Sequence, residues 1–322
     1  MSKTLVSIKN LKTYYKTRKG MVKAVDDVSF DIKEDEVFGL VGESGCGKST
    51  TALSLLRIIP YPGKIVGGSI LLDGEDLLKL SDKKMRKFRG AEISMIFQDP
   101  TSALNPVFTV GNQIIEAIKL HQKVKGTKAW DVAAEVLEDV GIPSPEKRVK
   151  DYPHQFSGGM KQRAMIALAL SCKPSLLIAD EATTNLDVTI QAKILKLIKN
   201  LQERLDTSIL YITHNIGVIA QISDRIGVMY AGKLVELGGI KEVFKNPGHP
   251  YTKALLNAFP DPRYEMKELE PIPGRVPSLL NPPQGCRFHS RCPKCREQCE
   301  DQAPLMKEIK KGHYVSCFDP LS

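Results

Sequence analysis

The stretch Gly42-Glu43-Ser44-Gly45-Cys46-Gly47-Lys48-Ser49-Thr50 fits the phosphate-binding pattern G-x-x-x-x-G-K-[ST]. An apolar run at 37–41 precedes it and apolar residues at helical spacing follow it, which predicts a strand, a loop and a helix. The glycines let backbone N–H groups face a polyphosphate, and the start of the helix also attracts anions. We expect Gly42 and the residues from Ser44 to Thr50 to form a nucleotide site. Lys48 should reach the β- and γ-phosphates, and Ser49 should bind Mg²⁺.

A second motif, Phe156-Ser157-Gly158-Gly159-Met160-Lys161-Gln162-Arg163, is predicted to open a helix with Ser157 as its N-cap. An apolar strand at 175–179 follows and ends in Asp180 and Glu181. The order of phosphate loop, Ser-Gly-Gly helix and strand with two carboxylates resembles the ATP-binding cassette (ABC) ATPases. The resemblance implies an α/β fold of the ABC type and an enzyme that hydrolyses MgATP to ADP and phosphate.

Polar side chains follow the predicted strands. Asp180 ends its strand where a carboxylate can hold Mg²⁺, and the adjacent Glu181 can act as a general base on the attacking water. Gln98 follows the strand at 93–97, and its amide can contact Mg²⁺ or that water. We therefore predict Mg²⁺ at Ser49, Gln98 and Asp180, and a catalytic role for Glu181, Gln98 and Lys48.

The resemblance to ABC ATPases implies further roles. His214, after the strand at 210–213, is implied to touch the γ-phosphate and steady the attacking water. Tyr15 is implied to stack on adenine, with Tyr14 a near-equal candidate. Two cassettes are implied to meet head to tail, so that Ser157–Gly159 of one contacts the nucleotide of the other. Dimerisation would then be driven by ATP and reversed by hydrolysis.

Some residues depart from the ABC pattern. Met160 stands where many cassettes have Gln, Ala182 where Pro is usual, and Asn215 where Asp is usual. Asn185 stands where a small Ala is usual, in the loop Asn185-Leu186-Asp187 that is implied to cross to the partner subunit. None of these changes removes a catalytic group.

The composition agrees with a peripheral ATPase. The chain has 322 residues and a net charge of +9. No apolar run reaches the roughly 18–20 residues that a membrane span requires, and the N-terminus lacks a signal-peptide core. Lysine and arginine are scattered, which disfavours nucleic-acid binding. We expect a protein at the cytoplasmic face of the cell membrane.

The chain is predicted to form a large domain with an appendage. The first part, 1–258, reads as the ABC domain, with an N-terminal antiparallel β-region and a helical subdomain inserted at about 99–172. Alternating strands and helices after 174 predict a mostly parallel sheet. The extension at 259–322 is rich in proline and cysteine and is predicted to bind metal.

Segments outside the ATPase motifs narrow the family. The run 98–106, the run 246–252 and the tail segments 271–274 and 285–288 look like the ATPase subunits of oligopeptide and dipeptide importers. That resemblance implies a groove at Asp99–Val110 for two membrane permease subunits, and an indirect partnership with an extracellular peptide-binding protein. It also favours a paralogous cassette as partner over a second copy.

Other functions stay open at this point. One alternative is a nickel importer ATPase of the same family. Another is a soluble ABC ATPase whose cysteine-rich tail binds nucleic acid, although no clustered basic face or second cassette supports it. A third is a degenerate half of a heterodimer, which the presence of Glu181 and His214 disfavours.

Five cysteines lie within 32 residues of the tail. In a cytosolic protein they favour a metal over disulfides. A 4Fe–4S cluster is one interpretation, and zinc or thiols that are free or in disulfides are the others. The predicted ligands omit Cys295 and are Cys286, Cys292, Cys299 and Cys317. A metal there would stabilise a tail that cannot bury its own core.

Overall fold

The computed structural model describes residues 3–122, 124, 126–183, 187–258 and 271–321. They form two compact units. Unit 1 comprises Met1–Lys79 and Tyr211–Ser322, and unit 2 comprises Leu80–Leu210. Unit 2 is therefore inserted, as a continuous stretch, between the two parts of unit 1.

The chain begins with strands, continues with a run of helices after Ile96, and alternates between strands and helices from Leu176 to Tyr230. The strands are β1 (Thr4–Thr17), β2 (Gly20–Lys33), β3 (Val37–Val41), β4 (Gly63–Leu72), β5 (Glu75–Asp76), β6 (Ile93–Ile96), β7 (Leu176–Asp180), β8 (Ser208–Thr213), β9 (Arg225–Tyr230), β10 (Lys233–Gly239), β11 (Lys307–Lys310) and β12 (His313–Val315). The α-helices are α1 (Lys48–Leu55), α2 (Asp82–Phe88), α3 (Pro100–Ala103), α4 (Val110–His121), α5 (Lys128–Asp139), α6 (Pro145–Arg148), α7 (Gly158–Leu170), α8 (Val188–Leu205), α9 (Ile216–Ile222), α10 (Ile240–Lys245), α11 (Pro250–Asn257) and α12 (Gln298–Asp301). Short 3-10 helices occur at Leu77–Lys79, Pro153–Gln155 and His289–Arg291.

Unit 1 contains an antiparallel sheet and part of a mixed sheet. The antiparallel sheet has the order β2-β1-β4-β5, and its alternating residues, such as Val6 and Ile8 on β1, are buried on one face. Among the residues described, the mixed sheet has eight strands in the order β11-β12-β10-β9-β3-β8-β7-β6. Strand β9 is parallel to β3 and antiparallel to β10. Every residue of β3 is buried, as expected for a strand covered on both faces. A side chain at Gly39 on β3 would collide with Ile219 of α9, which packs against this strand.

The described part of the tail packs into unit 1. Phe288 is buried against Tyr230 of β9 and Tyr251 of α11, with ring centroids 5.2 and 5.4 Å away. Glu236 on β10 is fully buried and accepts hydrogen bonds from the Gly248 and His249 N–H groups, and His313 Nε2 on β12 lies 2.7 Å from its Oε1. Aromatic packing and a satisfied buried carboxylate thus hold 271–321 in place.

Unit 2 joins a pair of parallel strands to a group of helices. β6 pairs with β7 in register Ile93↔Leu176 through Ile96↔Ala179. The helix α4 buries Ile114, Ile115 and Ile118, whose 3–4-residue spacing makes one apolar face. Helices α5 and α7 provide the neighbouring apolar surfaces.

The predicted domain boundaries remain predictions. Helices α3 to α7 fall within the predicted insertion at 99–172, but unit 2 is wider and includes β6, β7 and α8. The predicted boundary at 258/259 falls where the described range 187–258 ends, and residues 259–270 lie outside those that the structure describes. Among the residues it does describe, no helix has both the length and the apolarity that crossing a membrane demands.

Candidate functional site

The phosphate loop lies in unit 1 between β3 and α1. Gly42 and Gly47 have φ of +156° and +109°, and a side chain at either would strike a backbone carbonyl, that of Met229 or Ala24. Only glycine fits there, because both the backbone conformation and the close approach exclude a Cβ atom. Ser44, Gly45 and Ser49 are exposed, so this part of the loop is accessible to a ligand.

Lys48 is buried and bound to its own loop. Its Nζ donates to the Gly42 carbonyl at 2.7 Å and to the Glu43 carbonyl at 3.2 Å. An ammonium has three donors, and the third is directed at the Cys46 sulfur at 3.7 Å, so the lysine is bound to its own loop at three points. Cys46, which we included in the predicted site, has its thiol buried, and burial raises the pKa of that thiol. Its contribution to a phosphate site would come from the backbone.

The two adenine candidates differ in their surroundings. The Tyr14 hydroxyl donates to Asp26 at 2.6 Å. Burial first, and then this hydrogen bond, raise the pKa of Tyr14 above its usual value. Tyr15 pairs with Val22 and Gly63 and stays half-buried, with its ring against Gly63. The Tyr14 hydroxyl is thus engaged with Asp26, and the stacking of Tyr15 on adenine stays a prediction.

In unit 2, the carboxyl ends of β6 and β7 bring two predicted residues together. The Gln98 amide donates to Glu181 Oε2 at 2.9 Å. Asp180 is the last residue of β7 and is buried. Glu181 has φ of +49°, which is uncommon for a residue with a side chain and is often found at functional sites. The register of β6 with β7 explains this meeting of residues that are 83 positions apart.

The Ser-Gly-Gly motif starts α7 as predicted. Ser157 is the N-cap, and its Oγ accepts from the Met160 N–H at 3.3 Å. A Cβ added at Gly158 or Gly159 would meet nothing within 4 Å. The open space leaves room for a ligand against the start of the helix, where backbone N–H groups favour anions.

Sequence reasoning missed Gln162. It is buried on α7, and its Nε2 donates to the Ala182 carbonyl at 2.6 Å, directly after Glu181. The bond ties the Ser-Gly-Gly helix to the end of β7. Because Lys161 and Arg163 flank Gln162, no local pattern in the sequence set it apart from its polar neighbours.

His214 and its neighbours lie in unit 1. His214 is exposed after β8, and Asn215 is the N-cap of α9, accepting from the Gly217 and Val218 N–H groups at 3.0 and 3.3 Å. Asn and Asp are equally good N-caps, so the departure at Asn215 keeps the local structure. Asn185 and the loop it belongs to lie outside the described residues.

The predicted site draws on both units. Lys48, Ser49 and His214 belong to unit 1, whereas Gln98, Asp180, Glu181 and Ser157 belong to unit 2. The predicted Mg²⁺ ligands Ser49, Gln98 and Asp180 therefore stay a prediction as a set.

The predicted cysteine ligands line one small cavity in unit 1. They are Cys286, Cys292, Cys299 and Cys317. Burial raises the pKa of Cys286 to about 11, and the other three thiols act on it in the same direction. Cys295 is exposed, and its thiol contacts the Arg296 carbonyl. Within the described ranges, no three His, Cys, Asp or Glu side chains converge closely enough to hold a metal ion, so the metal-binding extension is not confirmed.

Comparison with known proteins assigns the family. The family model for "ABC transporter" matches residues 25–184, and that for "Oligopeptide/dipeptide transporter, C-terminal region" matches 235–299. The dipeptide transport ATP-binding protein DppD of Bacillus subtilis is 50% identical over 315 residues, 98% of this chain and 94% of its own. A probable peptide ABC transporter ATP-binding protein of Sinorhizobium fredii is 48% identical over 316 residues, with the same two coverages.

A solved structure agrees with the sequence comparison. The dimeric post-hydrolysis structure of the ATP-binding cassette MJ0796, bound to ADP and Pi, covers 73% of this chain and 98% of its own, at a TM-score of 0.66 and 27% identity. The fold is thus that of an ABC ATPase, for which ATP and Mg²⁺ are the usual ligands. The chain belongs to the ATP-hydrolysing subunits of the oligopeptide and dipeptide ABC transporter family.

Proposed function

We propose that this subunit hydrolyses ATP to power the import of dipeptides or oligopeptides through a membrane permease. The match of 235–299 to the C-terminal region of oligopeptide and dipeptide transporters carries the proposal, because this region is what separates the chain from a generic cassette. Full-length relatives named for peptide and dipeptide transport support it. The proposed location is the cytoplasmic face of the membrane, with an extracellular peptide-binding protein supplying the substrate.

The residues present fit MgATP. The open, glycine-dependent loop offers its N–H groups to the phosphates, and Lys48 and Ser49 lie at the start of α1. Bound Mg²⁺ would neutralise phosphate charge, and we assign Asp180 and Gln98 to it together with Ser49. Glu181 would accept the proton of the attacking water, held in place by its hydrogen bond from Gln98.

We propose that two cassettes share each nucleotide. The unoccupied space around Gly158 and Gly159 supports this arrangement, because the Ser-Gly-Gly helix start is free to contact a nucleotide held by another subunit. The partner cassette is proposed to be a paralogue, with a second copy of this chain as the other possibility.

The permease is proposed to dock beside Asp99–Val110. Val107 and Phe108 expose 70% and 51% of their surface there, which is unusual for large apolar residues beside a polar loop. The Gln113 side chain orders this segment through bonds to the Asn105 backbone and the Phe108 carbonyl. Phe108 also lines an open surface pocket together with residues of α4. An apolar helix of the membrane subunit would bury these groups.

Uptake by cells tests the transport proposal. A strain from which this gene is deleted should lose uptake of labelled dipeptides or oligopeptides, and the intact gene should restore it. The Glu181→Gln gene should not restore it, although the protein accumulates to the same level. Loss of nickel uptake with normal peptide uptake would support the alternative nickel importer and contradict the proposal.

We further propose that the tail holds a 4Fe–4S cluster on Cys286, Cys292, Cys299 and Cys317. Four thiols around one cavity suit a cluster, which spaces its thiolates more widely than a single zinc ion does. The cluster would stabilise the tail, and zinc is the alternative.

Metal analysis distinguishes these possibilities. Protein purified without oxygen should be brown and contain about four iron and four sulfide per chain. Cys292→Ser should lose the iron, whereas the matched variant Cys295→Ser should retain it. One zinc without colour would replace the cluster by a zinc site, and the absence of any metal would contradict both.

A further inference from the structure

A tail arginine binds the phosphate loop. Arg291, on the 3-10 helix His289–Arg291, is buried and makes a bidentate ion pair with Glu43, at 2.8 Å from Nη1 to Oε2 and 3.1 Å from Nη2 to Oε1. Glu43 is the second residue of the G-x-x-x-x-G-K-[ST] stretch. Paired N–H···O bonds from a guanidinium are among the strongest that a carboxylate makes, and they fix its orientation.

Other contacts of Arg291 hold it rigidly. Its Nε donates to the Pro273 carbonyl at 2.8 Å, and Nη2 donates to the Ile272 carbonyl at 3.2 Å. Nη1 also donates to the Tyr230 hydroxyl at 3.2 Å. The guanidinium is thus anchored to the tail backbone on one side and to Glu43 on the other.

The backbone N–H, the backbone carbonyl and the carboxylate of Glu43 all form hydrogen bonds or ion pairs. Its N–H donates to the Tyr251 hydroxyl at 2.9 Å, its carboxylate binds Arg291, and its carbonyl accepts from Lys48 Nζ at 3.2 Å. A displacement of Glu43 would therefore move one of the two carbonyls that position the lysine. Arg291 is connected to Lys48 through a single residue.

A second tail arginine binds next to the loop. Arg287 is also buried and donates to the Ala231 carbonyl and to Asp26. The adjacent Gly232 N–H donates to the carbonyl of Cys46, inside the phosphate loop, at 2.9 Å. The turn between β9 and β10 thus connects this arginine to the other end of the loop.

We propose that Arg291 is a positioning residue for ATP binding: through Glu43 it holds the phosphate loop and Lys48 in the conformation that receives the phosphates. The tail then contributes to nucleotide binding and is not a separate binding module. The inference rests on the ATPase activity and not on the identity of the transported substrate. Ordering a loop on binding costs free energy. A loop that is already ordered before ATP binds avoids this cost, which favours binding.

Arg291→Gln in the full chain tests this role. We expect it to weaken MgATP binding, measured by calorimetry, by about tenfold, because a buried bidentate pair is lost next to the loop. Arg291→Lys should restore part of the affinity, since it keeps the charge but loses the paired geometry. The loss should appear in KM for ATP more than in kcat, because the loop binds phosphates in both the ground and transition states.

A merely structural role would give a different pattern. Fewer folded molecules would lower kcat per mole of protein and leave KM unchanged. The matched control is Arg296→Gln, which breaks a more exposed ion pair with Asp319 in the same tail. Metal content and thermal stability are measured for each variant, so that damage to the neighbouring Cys292 is recognised.

Glu43→Gln approaches the same pair from the loop and keeps the proposal testable if Arg291→Gln does not fold. In a double-mutant cycle, the combined variant should bind MgATP about as weakly as the weaker single variant, because both remove one interaction. Additive effects, or an Arg291→Gln affinity within about twofold of the natural protein's, would overturn the proposal.

Discussion

At the scale of single residues, Glu181 combines several unusual properties. It follows the last residue of a buried strand, has a left-handed backbone, and receives a hydrogen bond from Gln98. Backbone strain of this kind costs free energy and persists where the surrounding structure imposes it. The backbone conformation and the hydrogen bond from Gln98 thus fix the orientation of the Glu181 carboxylate, whereas the neighbouring Asp180 is buried.

The substitution Glu181→Gln should lower the rate of ATP hydrolysis by about 10²-fold or more while leaving MgATP binding intact, because it removes a base and preserves the shape. Phosphate release at saturating ATP measures the rate. Glu92→Gln is the matched control: Glu92 precedes β6, at the opposite end of the strand pair, and accepts from Ser175. Unchanged hydrolysis in Glu181→Gln would remove Glu181 from the catalytic role.

Sequence patterns predicted the residues whose chemistry is local. A short stretch of sequence is enough to recognise each of them: the phosphate loop, the N-cap Ser157 and the strand-end carboxylates. The partners of Gln162 and Arg291 could not be predicted, because 20 and 248 residues separate each donor from its acceptor. Only the register of the folded chain brings such groups together.

At the scale of elements, α11 begins with an uncharged histidine. His249 is the N-cap, and its Nδ1 accepts from the Tyr251 N–H at 3.0 Å. Burial lowers the pKa of His249 from its usual 6.5 to about 4, with Glu236 opposing the shift. A protonated ring would lose the acceptor that caps the helix.

The stability of the protein should therefore fall in acid. Because the folded pKa is depressed, this contribution is complete above pH about 6.5 and is lost as the pH falls toward about 4, by at most about 1.4 kcal/mol per pH unit. Urea unfolding across this range measures the slope. His249→Asn keeps an N-cap acceptor that does not titrate, and it should flatten the slope.

His154→Asn is the control for this measurement. His154 is exposed, and its replacement should leave the pH dependence unchanged. An equally steep slope in His249→Asn would assign the acid sensitivity to other groups.

Most elements could be predicted, for identifiable reasons. The strand β3 and the helices α4 and α8 can be recognised from the spacing of their apolar residues and from their length. The pair β11 and β12 could not be predicted, because its strands are short and the residues of β11 are all exposed. Their pairing depends on β10, which lies about 70 positions earlier in the chain.

At the scale of the whole molecule, the open Ser-Gly-Gly surface predicts how cassettes associate. In the Glu181→Gln background, MgATP should produce dimers that size exclusion with light scattering detects. If this chain alone stays monomeric, the paralogous cassette is added and the measurement is repeated. Gly158→Glu should prevent them. A Cβ added at Gly158 has open space within 4 Å, so we expect the glutamate to extend toward the proposed partner and repel the phosphates.

Gly239→Glu is the matched control, since Gly239 also lies at a helix start with open space around it. It should leave dimerisation unchanged. Dimers that form equally well with Gly158→Glu would contradict the head-to-tail arrangement.

The division of the chain into units has a consequence for biosynthesis. Unit 2 is continuous, so its internal contacts can form as soon as the ribosome has released Leu210. In unit 1, β3 must wait for β9, and Glu43 must wait for Arg291, which is synthesised 248 residues later. The loop that recognises ATP is thus among the first parts to be translated and among the last to be secured, so a newly made subunit completes its ATP site only once its tail has emerged.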